Sequence, residues 1–574
     1  MNRRSFLTFG TSNLAKKPAR IRPTQRNINL NAQQQASRFL AQATLGGTRV
    51  QIDEVAALGI EAWIDQQFVI PQSTTLQYMW DAINPVYQLE DQPLLGPAPF
   101  RWAWWQAVMT GQDQLRQRVA MALSEIMVIS TKTDFLEDLS IGIAHYYDML
   151  LKHAFGNFRD LLFDVTMHPT MGYYLSHAGN RKSDPATNRF PDENYAREVM
   201  QLFTIGLFEL NLDGSRKLDS NGDPIPTYTN ADISEFAKIF TGMTYGIIPE
   251  WLEEEEIDPT SEEAFIFMEP TWENVTMPLE MWEAFHESGE KRLLNGYVVP
   301  NGQTGMQDVH DAIDHLFQHP NVGPFIGRLL IQRLVKSHPS PAYIARVASA
   351  FNDNGSGVRG DMQAVVKAIL LDDEARNTSF LSDPTHGMLR EPFARYTHLC
   401  RAFGASNQEN LFYNTAEYAE VELSQYPFAS PSVFNFFSPD FRPIGDLADA
   451  NINAPEFQIM TSVSAIKWIN FFTDIIFENV VMETPKGSEE PEEKLPFVSD
   501  VRLDFTPYDG LRDDIGGLID QLDLLLTYGT LTSTTRSTIL NTLTKLWDEE
   551  EDWMEVVKFG LLLMLISPDY AILK

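Results

Sequence analysis

Asn194, Arg197 and Glu198 fall within two helical turns in the run Pro191-Asp-Glu-Asn-Tyr-Ala-Arg-Glu-Val-Met, next to apolar residues that read as core. A carboxylate held beside a guanidinium can serve as a general base or a ligand, with Asn194 and Arg197 binding an anionic group. Further along, His286-Glu-Ser-Gly-Glu-Lys supplies His286 to transfer a proton and Lys291 to stabilise developing negative charge. Arg390, in Leu389-Arg-Glu-Pro, adds a further cation for substrate. The same residues also read as buried ion pairs that tie helices together, which perturb pKa without catalysis.

A metal-binding pattern is present at Asp311, His315 and His319, which recur every four residues and so project to roughly one side of a helix. The spacing permits a divalent metal ion, although the His-Glu-x-x-His form is absent. A solvated helix face ending in a histidine before Pro320 is the other reading. Asp219, Asn221 and Asp223 alternate like the start of a calcium loop, but Pro224 stands where an EF-hand needs glycine and Asn230 where it needs glutamate. A small β-hairpin turning at Ser220-Asn221-Gly222, near residues 213–228, is expected instead.

The elements that must position these groups are helical. Residues 191–211 read as an inner helix capped by Asp192, with Val199, Leu202, Phe203 and Ile205 as its core stripe. Amphipathic periodicity predicts helices over 32–68, 100–129 with a break at 110–113, and 140–165. It predicts a further helix before Gly242, two over 324–375, another after Met388, one over 455–472 and a terminal hairpin over 518–574. Trp102, Trp104 and Trp105 read as core aromatics. Residues 179–192 form a polar loop that suits a substrate cover as well as a connector. Tyr426-Pro-Phe-Ala-Ser-Pro begins an aromatic, proline-punctuated loop. The expected fold class is all-α: one large multi-helix domain over 32–574, with an acidic insertion at 246–285 and an acidic linker at 483–496.

Among the 574 residues, 44 Lys and Arg stand against 78 Asp and Glu, a net charge of -34. That balance argues against nucleic-acid phosphate and against adhesion to an anionic membrane. Cys400 is the only cysteine, so neither an intrachain disulfide nor a cysteine metal cage is available. No apolar run suffices to span a bilayer, and no transmembrane segment is expected. Residues 1–31 read as a disordered basic tail or a degenerate twin-arginine signal: Arg3 and Arg4 fit such a signal, but Asn13, Lys16 and Lys17 interrupt its apolar region. Export to the periplasm or beyond, and a cytoplasmic location, both stay open.

Asn194-Tyr-Ala-Arg-Glu-Val-Met-Gln-Leu-Phe-Thr-Ile-Gly, Phe240-Thr-Gly, His286-Glu-Ser-Gly-Glu-Lys, His319-Pro-Asn, Leu389-Arg-Glu-Pro and Pro431-Ser-Val-Phe-Asn-Phe-Phe-Ser-Pro follow one another along the chain. In this order they resemble the bacterial domain-of-unknown-function 1800 family. The resemblance implies a largely α-helical protein, often exported and often encoded beside a sulfatase-like protein of the domain-of-unknown-function 1501 family. It implies no established reaction. Glu287 stands where members usually carry aspartate. The first functional expectation is an envelope or extracellular binding or accessory component acting with a sulfatase-like partner. The alternative is a metal-assisted hydrolase or transferase acting on a sulfated or phosphorylated glycan, with Glu198 and His286 as catalytic groups and Asn194, Arg197, Lys291 and Arg390 binding substrate.

Overall fold

The computed structural model describes residues 29–574 apart from 86–93, 95, 97, 134–135, 249–252, 254–256, 259–260, 409, 411, 413–423, 479–500, 513 and 551. Arg3, Arg4 and the acidic linker at 483–496 therefore lie outside the described residues. The described chain is predominantly helical, with three small two-stranded antiparallel pairs. No helix among the described residues is long and apolar enough to cross a membrane.

The first stretch divides into the helices Ala32–Ala43, Arg49–Leu58 and Ile60–Val69. Asn31 with Gln34, and Thr48 with Gln51, close reciprocal caps on the first two and so satisfy amides that a helix start leaves bare. The Ala98–Thr110 and Gln114–Ser124 helices follow, and Trp104 and Trp105 meet edge to face at 4.9 Å, both fully buried. The helical run expected over 140–165 is two helices, Ser140–His153 and Phe158–Met167, because Asn157 caps a new start by accepting from the Arg159 amide.

The central segment departs most from its expected form. Its helix covers only Asn194–Gln201, with Glu193 at the cap position while the Asp192 carboxylate accepts from the Asn194 amide at 2.8 Å. Beyond Gln201 the Thr204 hydroxyl donates to the Val199 carbonyl, and the Phe203 amide reaches back to Glu198 instead. Side-chain competition for a helical carbonyl unwinds the turn, and Gly206, at a φ of +69°, takes the chain away. Val199, Phe203 and Ile205 are nevertheless fully buried, and Leu202 is half-buried.

Next comes the expected ribbon. Leu218 bridges Pro224 across a turn in which Gly222 has a φ of +89°, and Leu210 bridges Arg216 across a second turn. The region expected to hold two helices over 324–375 holds Val322–Leu334, Pro341–Asn352 and Met362–Leu370, the first break falling at Pro339 and Pro341. The terminal region comprises Ile515–Leu526, Ser533–Glu550 and Trp553–Leu565.

One continuous buried apolar cluster runs from Ala36 to Tyr570. A seam also joins sequence-distant segments: Met388–Leu389 pairs antiparallel with Ile572–Leu573, and Arg38 donates from Nε to the Lys574 carbonyl at 2.8 Å. Cys400 is buried, which pushes its thiol up to about 12 and leaves it unreactive at neutral pH.

Candidate functional site

His286, Lys291 and Asp308 form one hydrogen-bonded unit. His286 follows the short turn Glu283–Phe285, Lys291 lies in a strand paired with Val298–Val299, and Asp308 sits in the first turn of the helix Gly305–Gln318, whose start Thr304 caps. Asp308 Oδ2 accepts from Lys291 Nζ and lies 2.9 Å from His286 Nε2, with Lys291 Nζ 3.3 Å from the same ring nitrogen. His286 Nδ1 donates to the Thr241 carbonyl at 2.9 Å. With that proton assigned, Nε2 either carries a second proton toward Asp308 or accepts from Lys291. All three residues are 1% exposed. Burial alone raises the Asp308 carboxyl, but the hydrogen bonds from His286 and Lys291 outweigh it and hold the group below its ordinary range.

The polar loop lies against this unit. Glu287 accepts from the Ser183 amide at 3.2 Å and gives its own amide to the Thr241 hydroxyl at 2.9 Å, so the longer carboxylate at 287 serves as a loop tether. Arg181 and Arg189 of the loop both pair with Glu262 of the acidic insertion.

The rest of the expected site is not brought to His286. Glu198 is buried, and its Oε2 finds no partner; burial pushes its carboxyl up, against the opposing pull of Arg197. Burial and the nearby Glu198 charge push the hydroxyls of Tyr174 and Tyr228 up to about 12. Arg197 reaches Glu193 at 3.4 Å, and Asn194 is exposed. Asp311, His315 and His319 also turn to separate neighbours. Asp311 accepts from Gln303 at 2.8 Å; His315 donates to the Leu294 carbonyl at 2.9 Å and stacks on Tyr297; His319 accepts from the Asn321 amide and lies 3.5 Å from Glu209. Among the described residues no group of three or more His, Cys, Asp or Glu side chains is placed to hold a metal ion.

Arg390 is buried and donates to His398, the Leu526 carbonyl and the Tyr528 hydroxyl, while its neighbour Glu391 belongs to a second buried cluster. Arg333 Nε lies 2.6 Å from Glu125 Oε2, and the Gln425 amide bridges Glu125 and Glu391. Burial, then the Glu391 charge, push the Glu125 carboxyl well above its usual range, despite Arg333 and Arg118. Glu456, which accepts from Ser337 at 2.8 Å, is pushed up to about 7, chiefly by burial. One signal was legible: Glu125 is the lone acid in the apolar run 119–129.

The family model described as "Protein of unknown function (DUF1800)" matches residues 38–572. The chain belongs to the DUF1800 family. No curated protein and no solved structure matches it. In this DUF1800 chain the sequence blocks that carry the resemblance are knotted together in pairs. Thr241 of Phe240-Thr-Gly anchors His286 and Glu287, while Asn321 of His319-Pro-Asn donates to the Ile205 and Phe208 carbonyls and accepts from the Leu210 amide. Those Asn321 bonds fix the exit from the central helix.

Proposed function

We propose that this DUF1800 protein is a binding or accessory component of the cell envelope or extracellular space, acting with a sulfatase-like partner. The observation that carries the reading is a set of exposed apolar side chains on two loops attached to the same helix, Val322–Leu334. The ribbon docks at the start of that helix through Asn321 and presents exposed Leu207, Leu212 and Leu218. The aromatic loop docks further along, where Arg328 donates to the Pro439 carbonyl and to Asp440, and presents exposed Phe434 and Ile444. Arg216 of the ribbon lies close enough to Asp440 to help hold that carboxyl low. Apolar groups gathered in this way, with charges at their edge, are the composition of a protein-binding patch. His286 and Lys291 spend their polar atoms on internal partners, whereas Asp308 Oδ1 is buried without one.

The test is binding of a sulfatase-like protein of the domain-of-unknown-function 1501 family, measured by calorimetry against the triple variant Leu218→Ser, Phe434→Ser, Ile444→Ser. Affinity is expected to fall at least about tenfold with the thermal transition unchanged. Equal affinity overturns the reading.

A second reading, a hydrolase or transferase acting on an anionic glycan, is favoured by the buried Glu198 oxygen without a partner and its raised carboxyl. Turnover of sulfated or phosphorylated glycans that disappears in Glu198→Gln supports it; absence of turnover in the wild type sinks it.

A further inference from the structure

A cavity of about 20 Å³ lies among Thr44, Gly46, Arg118, Arg390, Glu391, Ala394 and His398. A single water needs roughly 10–15 Å³ on this measure, so the space admits one species slightly larger than water. Arg390 is 5% exposed, and among the described residues no Asp or Glu oxygen lies within ion-pair distance of it. Its Nη1 donates to His398 Nδ1 at 3.0 Å, and its Nη2 donates to the Leu526 carbonyl and the Tyr528 hydroxyl. Its Nε is buried with no partner. A buried guanidinium N–H left unpaired is costly, which marks the position as one built for an acceptor.

A second feature points the same way. Ala394 lies in the first turn of the helix Pro392–Ala402, and no side chain caps that turn. Bare amides and the positive end of an 11-residue helix favour an anion there. His398 adds no charge: burial pushes it well below its ordinary value, and with Nδ1 accepting from Arg390 it stays neutral. The carboxylate that also lines the space, Glu391, is already engaged by Gln425.

We propose that this cavity is a binding site for a single halide-sized monovalent anion, chloride in practice, held by Arg390, Arg118 and the start of the Pro392–Ala402 helix. The site is separate from the proposed partner surface and does not depend on it. Walled mostly by buried residues, it acts as a ligand-dependent brace between the first helix, the terminal pair and the Pro392–Ala402 helix.

The test is thermal unfolding of the full chain in sodium chloride, bromide and gluconate at one ionic strength, with anomalous scattering from bromide-soaked crystals. The expected result is a saturable rise in Tm of about 2 °C in either halide over gluconate, and a bromide peak between Arg118 and Arg390. Ala41→Val, which fills the cavity wall and leaves every charge in place, is expected to remove both, as is Arg390→Gln if that variant folds. Equal Tm in halide and gluconate with no bromide peak means that the space holds water, and overturns the proposal. A halide effect that survives intact in Ala41→Val places the anion elsewhere and overturns it equally.

Discussion

Around Asp308 two basic side chains close on one carboxylate, whereas around Glu125 three buried carboxyl groups share two guanidiniums with Gln425 and Ser337. Both clusters are sealed from water, yet their carboxyl groups move in opposite directions: Asp308 is held low, Glu125 and Glu456 are pushed up. Desolvation opposes ionisation in each, so the number of donors per carboxyl decides which term wins. The first cluster is a closed ionic lock. In the second, burial outweighs the donors at Glu125 and Glu456.

The contrast breaks most sharply at Lys291. Lys291→Met strands Asp308 without its ammonium in a buried setting and is expected to cost about 3–5 kcal/mol in urea unfolding; a loss below about 1 kcal/mol would mean that His286 alone suffices. The next effect is on pH. Glu456 has a folded pKa of about 7 against an ordinary value of 4.5, so the folded state binds its proton more tightly. Its contribution is fully present below about pH 4.5 and is lost as pH rises through 7, of order 3 kcal/mol in total. Glu456→Gln is expected to remove that decline, which denaturation at a series of pH values reads directly. Asp308 has the reverse sign: its stabilisation is present above the ordinary carboxyl range and is lost as pH falls through its depressed value, so Asp308→Asn should flatten only the acid side of the curve.

The smallest effect is expected at Glu125. Burial pushes its carboxyl up, toward the neutral form, so Glu125→Gln should change stability by less than about 1 kcal/mol at neutral pH. A large loss there would show that the carboxyl is ionised, and would erase the distinction between the two clusters.

Helical periodicity was legible because most elements bury one stripe, and of the central stripe Val199, Phe203 and Ile205 are in the core as expected, with Leu202 half-buried against it. The early end of that helix was not legible, since it depends on the Thr204 hydroxyl competing for a single carbonyl. His286 and Lys291 were named from one sequence block as groups turned toward a substrate, and the structure has them meeting each other and Asp308. Asp308 was passed over because its role appears only when the Gly305–Gln318 helix packs against them. Asp311 and His315 lie one turn apart on the Gly305–Gln318 helix, but His319 falls just past its end in extended backbone, and each side chain found a different neighbour in space. Contacts such as Gln425 to Glu125, 300 positions apart, leave no local pattern in a single sequence.

The seam between Arg38 and Lys574 sets an order of events in folding. Arg38 Nη1 can reach the Arg376 carbonyl once that residue is made, yet its Nε gains the Lys574 carbonyl, and Met388–Leu389 its strand partner, only when synthesis has reached residues 572–574. Contacts of such long sequence separation form late, because the intervening chain must be ordered first. Until then Arg38 Nε and the edge of Met388–Leu389 lack these partners, so chains stalled shortly before Ile572 should be the species that chaperones hold and proteases remove.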